Sequence, residues 1–158
     1  TADELVNAIN APLLARERRI EVAQTRLDND RGYTDVLELR VAADQPTTVA
    51  GALLERGHPR IIELDGYGLD LPPEDIALLI WRHAPSRPGF IGMVGTLLGE
   101  AGVNISAIQV SHEAPGEVGL MAQTVQSEVP PAALRQITQL DGVTRTHTMV
   151  FTPGEGHV

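Results

Sequence analysis

One stretch constrains the fold of this chain more than any other: Arg87-Pro88-Gly89, an apolar, glycine-rich segment over residues 90–101, and then Gly102-Val103-Asn104-Ile105. Pro88 pre-sets the backbone for the first turn of a helix, and Gly89 lets the chain approach a neighbour closely. The stretch therefore predicts the end of a strand, a helix and the start of another strand. The free amides at the start of this helix suit a carboxylate or a phosphate, and Asn104 adds two donors and an acceptor. A small amino acid fits this chemistry.

Charge and composition exclude several classes of protein. A formal net charge of −9, from 21 acidic and 12 basic residues, argues against a nucleic-acid binder, which needs clustered Lys and Arg. The chain has no run of about 18 apolar residues and no basic-then-apolar start, which argues against a membrane protein and a secreted one. We therefore expect a cytoplasmic protein. Without cysteine, disulfides and thiolate catalysis are excluded.

The first half of the chain predicts a small α+β domain with a largely antiparallel sheet. Apolar residues at helical spacing indicate a helix or helical pair over residues 3–19, where Pro12 kinks the stretch or begins a second helix. Strands are expected over residues 20–27, 34–43, 47–55 and 59–65. Gly66 and Gly68 then mark a tight reversal of the chain.

The second half predicts a different arrangement. Two prolines and two acidic residues at positions 72–75 form a boundary, because prolines cannot continue a strand ladder. Beyond it we expect, in order, a strand over residues 76–81, a helix over 90–101, strands over 105–112 and 117–126, a helix over 131–140 and a strand over 143–151. This order is βαββαβ, the split ferredoxin-like pattern. The fold class is thus α+β, with domains 1–73 and 74–152 and a tail at 153–158.

These segments resemble a known family. Arg87-Pro88-Gly89, the helix after it and Gly102-Val103-Asn104-Ile105 are similar to the opening of an ACT domain, the ferredoxin-like amino-acid sensor. The order of Ile9-Asn10-Ala11-Pro12, residues 49–53 and residues 60–66 is similar to that of the intervening, allosteric-substrate-binding domain of long-form D-3-phosphoglycerate dehydrogenase. The chain therefore resembles the C-terminal regulatory region of that family, and its abrupt start without Met is expected of a fragment.

The resemblance implies a function and a set of site residues. In this family two ACT domains pair edge to edge, and L-serine, the feedback inhibitor of serine biosynthesis, binds at their shared boundary. Carried over to this sequence, the effector-binding residues are Ser86, Arg87, Gly89, Asn104 and Ile105. The resemblance also implies a homo-oligomer formed through the ACT domains. It implies no catalytic residue and no cofactor in this fragment, and an NAD-dependent oxidoreductase as the parent enzyme.

The sequence departs from the family at both expected ligand sites. The polar and aromatic ligands just before Arg-Pro-Gly correspond here to Ala84 and Ser86. Because Ala84 has no polar side-chain group, two hypotheses stay open: the chain binds serine weakly, or it binds a different effector. At the family's anion site only Arg60 matches, since Tyr67 and Pro72 replace other basic ligands. Arg60 is therefore either an anion ligand or an exposed charge at a strand end.

The predicted helix over residues 90–101 carries Gly92, Gly95 and Gly99 on one face. Each glycine costs about 1 kcal/mol relative to alanine in a helix. We therefore expect either the helix's own sheet or a second subunit to pack closely against this face.

Other functional patterns receive no support. The five histidines lack metal-ligand spacing, and Gly66-Tyr67-Gly68 lacks the context of a phosphate loop. Asp65 and Asp70 border turns, where aspartate is favoured for its backbone hydrogen bonds. We therefore expect no metal site and no catalytic site. Three hypotheses remain open: a dehydrogenase regulatory region, a stand-alone ACT sensor or serine dehydratase regulatory subunit, and an oligomerisation module without a ligand.

Overall fold

The computed structural model describes residues 6–7, 9–25, 33, 35–42, 44, 46–54, 57–73, 76–82, 88–112 and 119–151. Its elements follow in the order α1 (Ala11–Glu17), β1 (Val36–Val41), β2 (Thr47–Leu53), β3 (Pro59–Leu64), β4 (Tyr67–Leu71), β5 (Ile76–Arg82), α2 (Phe90–Glu100), β6 (Ile105–His112), β7 (Gly119–Val125), α3 (Pro131–Thr138) and β8 (Val143–Val150). The chain divides into two compact units, Thr1–Asp30 and Arg31–Val158.

The first unit contains α1, which begins beside Pro12. Proline fits there because the first turn of a helix needs no N–H from it. Ahead of the helix, Asn7 N–H donates to Asn10 Oδ1 at 2.7 Å and Asn10 N–H donates to Asn7 Oδ1 at 3.0 Å. This reciprocal pair shapes the turn that leads into α1.

One predicted strand is absent from the described part of the first unit. Residues 20–25 form neither strand nor helix, so the strand expected over residues 20–27 is wrong for these six residues. Ile20 and Val22 are exposed. Alternating apolar residues favour a strand only where another strand pairs with them, and no described strand pairs with this segment.

The second unit begins with an antiparallel meander in the strand order β1-β2-β3-β4. The register slips between Ala50 and Gly51, where β2 meets β3. A Cβ on Gly51 would lie only 3.3 Å from the carbonyl oxygen of Arg60. Glycine therefore allows the close approach of the two strands at this irregularity.

Strand β4 was not expected from the sequence. The predicted reversal occurs at Asp65 and Gly66, but Gly68 lies inside the strand rather than in the turn. Tyr67, Leu69 and Leu71 alternate with exposed residues and are buried on one face. This period of two is present in the sequence and is the signal that identifies β4.

Strands β5 to β8 form a second sheet in the order β6-β7-β5-β8. With α2 after β5 and α3 after β7, the predicted βαββαβ order is confirmed. The central strand β7 is buried along its whole length, and β5 is buried after its first residue. Between this sheet and the two helices lies a core that includes Leu78, Ile80, Val94, Leu98, Met121 and Ile137.

The glycine face of α2 is not covered by any of the residues that the structure describes. A Cβ placed on Gly92, Gly95 or Gly99 would meet no described atom within 4 Å. The sheet of the same chain therefore does not press on this face, which leaves a second subunit as the remaining expectation.

The opposite face of the second sheet packs against the meander. One buried cluster joins Leu64, Tyr67 and Leu69 of the meander to Leu79, Trp81, Leu120 and Ala122 of the second sheet. The two sheets thus share an apolar interface inside the second unit. The division of the chain at residue 73 stays a prediction.

Candidate functional site

The start of α2 is one half of the predicted effector site. Gly89 precedes the helix with a φ of 93°, in the left-handed region that glycine adopts without strain. Its carbonyl oxygen accepts the N–H of Met93 at 2.9 Å, which begins the helical ladder. Among the described residues, no side chain caps this end of the helix. No described side chain therefore competes with an anion for the first-turn amides.

The turn before Gly89 lies outside the described residues. It contains Ala84, Pro85, Ser86 and Arg87, so the roles expected of Ser86 and Arg87 stay predictions.

Arg82 is the last residue of β5, and it is buried. Its guanidinium lies over the ring of Phe90, 4.4 Å from the centroid. Its Nε donates to the carbonyl oxygen of Asp141 at 3.2 Å. Arg82 thereby ties the end of β5 to the start of α2 and to the turn before β8.

Asn104 and Ile105 form the other half of the predicted site, at the start of β6. Asn104 is exposed, and its Nδ2 donates to Gln126 Oε1 at 2.9 Å. Gln126 N–H in turn donates to the Asn104 carbonyl at 3.0 Å. Within the described part of the chain, Asn104 Oδ1 accepts no hydrogen bond, so an acceptor remains for a ligand. The half-buried Ile105 packs against the helix-side core and pairs with Val125 of β7.

Gly89 and Asn104 lie at opposite ends of the βαββαβ module. Ile76 of β5 and Ile105 of β6 both pair with Val125 of β7, so Asn104 lies where β5 begins. Helix α2 starts beyond the other end of β5, and its 11 residues span about 16 Å. Asn104 follows the far end of this helix. A single chain therefore does not bring the two halves of the predicted effector site together.

Arg60, the one match to the family's anion site, already faces a carboxylate. Its Nε lies 3.3 Å from Asp70 Oδ1 in an ion pair. Tyr67, which replaces a basic ligand, is buried between the two sheets, and Pro72 is half-buried. The structure therefore places one cation and one anion at this position, rather than a group of cations.

Sequence reasoning missed a cleft at the rim between the two sheets. It has a volume of about 540 Å³ and is lined by Pro46, Thr48, Asp65, Tyr67, Trp81, Thr144 and Arg145. Asp65 was interpreted as a turn residue, which its φ of 51° confirms, but its position in a cleft was not expected. The lining residues come from four separate parts of the chain, so no local pattern could have revealed them.

The described residues contain neither a cluster of metal ligands nor a helix that could span a membrane. No group of three or more histidine, aspartate or glutamate side chains there is arranged to hold a metal ion. None of the helices in the described ranges is long and apolar enough to cross a membrane.

Comparison with known proteins relates the chain to one family. Residues 1–65 match the D-3-phosphoglycerate dehydrogenase intervening domain. The D-3-phosphoglycerate dehydrogenase of Synechocystis sp. is 32% identical over 147 residues, which are 92% of this chain and 26% of that protein. The enzyme of the same name from Mycobacterium tuberculosis is 35% identical over 131 residues, 81% of this chain and 24% of that protein.

A third relative has the same name and a similar degree of identity. The D-3-phosphoglycerate dehydrogenase of Methanocaldococcus jannaschii is 30% identical over 139 residues, 87% of this chain and 26% of that protein. The chain thus spans about a quarter of the length of these curated relatives. Because the intervening-domain match and these alignments together cover most of the chain, it belongs to the D-3-phosphoglycerate dehydrogenase family as a regulatory region.

Proposed function

We propose that this chain senses L-serine for a D-3-phosphoglycerate dehydrogenase and that serine is the feedback inhibitor. The observation that supports this most is the separation of Gly89 and Asn104 at opposite ends of one module. A ligand that uses both groups requires two copies of the chain. A subunit boundary is where such a ligand can change the arrangement of an oligomer.

Two copies joined along β6 would complete the site. Strand β6 is an edge strand, and Ile108 and Val110 on it remain exposed. Antiparallel pairing of two β6 strands puts the first residue of one beside the last residue of the other. Asn104 of one copy then approaches the end of the module at which α2 begins in the second copy.

The chemistry of the two halves suits an amino acid. The first-turn amides of α2 and the helix dipole stabilise a carboxylate. Asn104 Oδ1 accepts a hydrogen bond from an ammonium group, and Gln126 holds the Asn104 side chain through its Nδ2. Ser86 contributes its hydroxyl in this proposal. Each bound serine is therefore held by both copies.

Feedback follows from linkage between serine binding and subunit arrangement. Serine that contacts both copies favours one relative placement of the subunits over another. The difference in affinity between the two placements is the coupling free energy, typically about 1–3 kcal/mol. Oxidation of D-3-phosphoglycerate with NAD belongs, in this proposal, to the parts of the enzyme outside this chain.

A thermal-shift titration with L-serine, D-serine and glycine tests the proposal. We expect a saturable rise in the melting temperature with L-serine, and sedimentation should show a larger dimer fraction as serine is added. Asn104→Ala should abolish the shift. Gln139→Ala, which removes another exposed amide at the end of α3, should leave it unchanged.

The other outcomes separate the alternatives. A dimer that shows no shift with any amino acid is an oligomerisation module, which the open glycine face of α2 also favours. An unchanged shift in Asn104→Ala removes that residue from the site. If the melting temperature rises only with an amino acid other than serine, that amino acid is the effector. Ala84, which lacks the polar group of the family's ligand at this position, is consistent with this outcome. A stand-alone sensor or serine dehydratase subunit would lack an upstream coding sequence for a Gly-x-Gly-x-x-Gly dinucleotide domain.

A further inference from the structure

The cleft between the two sheets contains a cation held in a defined place. Trp81 and Arg145 are cross-strand partners, and the guanidinium of Arg145 lies 3.7 Å from the centroid of the Trp81 ring. The register shifts next to this pair, and Thr144 Oγ1 donates to the Trp81 carbonyl at 3.2 Å. Stacking on an aromatic face orients the guanidinium without using its N–H groups.

An anion lies opposite this cation. Asp65 Oδ1 accepts the N–H of Thr48 at 2.9 Å, and Asp65 N–H donates to the Thr48 carbonyl at 2.8 Å. These bonds fix the carboxylate and leave Oδ2 toward Arg145. The distance from Arg145 Nη2 to Asp65 Oδ2 is 3.7 Å, which exceeds hydrogen-bond length. The two charges therefore attract each other without satisfying each other's hydrogen bonds.

The remaining lining residues are of both kinds: Pro46, Tyr67 and Trp81 have rings, and Thr48 and Thr144 are polar. The residues Trp81 and Tyr67 are only 6% and 7% exposed, so each offers a small surface to the cleft, and the exposed Pro46 lies at the rim. The cleft is broadly open to solvent and has a volume of about 540 Å³.

We propose that this cleft binds a free α-amino acid with an apolar side chain. The ligand carboxylate binds the N–H groups of Arg145, and the ligand ammonium binds Asp65 Oδ2. The side chain contacts Tyr67 and Pro46. An anion alone would meet the repulsion of Asp65, and a cation alone that of Arg145, whereas a zwitterion complements both charges. This site lies within one chain and does not depend on the serine site proposed above.

Intrinsic fluorescence tests the proposal, because Trp81 is the only tryptophan of the chain. L-leucine is the probe, and N-acetyl-L-leucine and L-leucinamide are its matched controls, lacking the ammonium and the carboxylate charge respectively. We expect L-leucine to change the Trp81 emission in a saturable way. Either derivative should bind at least about tenfold more weakly, because each lacks one of the two charge-assisted contacts.

Two variants and two controls locate the binding. Arg145→Met should abolish L-leucine binding, measured by calorimetry because this variant also removes the cation beside the fluorophore. Asp65→Asn keeps a side chain that tolerates the positive φ and should weaken binding about tenfold. Arg135→Met, on the exposed surface of α3, should bind as the parent chain does. Asn104→Ala should also bind L-leucine normally, even though it should lose the serine response.

The proposal is overturned by any of three results: no saturable response to L-leucine, equal binding of either blocked derivative, or unchanged affinity in both Arg145→Met and Asp65→Asn. If Arg145→Met does not fold, the proposal is tested by the affinity of Asp65→Asn for L-leucine and by the binding of the two blocked derivatives to the parent chain. Loss of the L-leucine response in Asn104→Ala would assign the response to the serine site and also overturn the proposal.

Discussion

Gln109 of β6 binds the main chain of Asp70 in β4 through both ends of its side-chain amide. Its Oε1 accepts the N–H of Asp70 at 2.8 Å, and its Nε2 donates to the Asp70 carbonyl. The amide occupies the place that another strand would take beside β4, the last strand of the meander. Directional bonds thus join the two sheets in addition to their apolar contact.

Replacement of Gln109 by alanine should destabilise the second unit. It removes two hydrogen bonds, each worth about 0.5–1.5 kcal/mol at a site that water also reaches, so we expect a loss of about 1–2 kcal/mol. Urea denaturation measures the change. Ser106→Ala, on the same strand and exposed, should stay within about 0.5 kcal/mol of the parent chain. Equal midpoints for the two variants would mean that the Gln109 bonds contribute nothing net.

Gln123→Met should stabilise the chain. Gln123 is fully buried on β7, and its Oε1 accepts no hydrogen bond from the described residues. Its Nε2 has only the sulfur of Met121, at 3.7 Å. An unsatisfied buried polar group costs about 1–3 kcal/mol, and methionine fills a similar volume without that cost. We expect a higher melting temperature, whereas Gln136→Met on the exposed face of α3 should change it little.

Gly95→Ala should have opposite effects on folding and on self-association. Because its Cβ would meet none of the described atoms within 4 Å, alanine should stabilise α2 by about 0.5–1 kcal/mol. If two α2 helices meet across the glycine face, the added methyl group should also weaken the dimer in sedimentation experiments. Gly51→Ala is the control, since its Cβ would press on the Arg60 carbonyl and should destabilise the chain. A Gly95→Ala variant with unchanged self-association would exclude this face from the dimer.

Gly89→Ala should destabilise the start of α2. A φ of 93° is unfavourable for any residue with a Cβ, at a cost of about 1–2 kcal/mol. Thermal melting should therefore occur at a lower temperature than in the parent chain. Gly92→Ala, one turn into the same helix, has open space for its Cβ and should melt slightly higher. If both variants melted alike, the backbone at Gly89 would not be as constrained as its φ indicates.

Much of the fold was predictable from local patterns. The proline and glycine before residue 90 mark the start of α2, and alternating or continuous apolar runs mark seven of the eight strands. Strand β4 was overlooked because Gly68 suggested a turn, although Tyr67, Leu69 and Leu71 alternate correctly. For the segment after Arg19 the error was the opposite one: a strand was predicted, but no described strand pairs with residues 20–25.

The candidate sites were predictable only in part. Asn104 and Gly89 were predicted as effector ligands from their places beside a helix, and this role stays a prediction; the structure shows Asn104 exposed and no described side chain capping α2. The sequence did not reveal that Gly89 and Asn104 lie at opposite ends of the module, because their distance depends on the order of the strands in the sheet rather than on their spacing along the chain. Arg60 matched a basic position of the family, but only the structure reveals Asp70 beside it.

By itself the sequence determined the succession of helices and strands, since periodicity, proline and glycine act on neighbouring residues. Only the tertiary structure decided which surfaces meet. Trp81, Arg145 and Asp65 come together because β5 pairs with β8 while its other face covers the meander. Burial of apolar area selects among such pairings, and this free energy depends on residues far apart in the chain, which no local pattern contains.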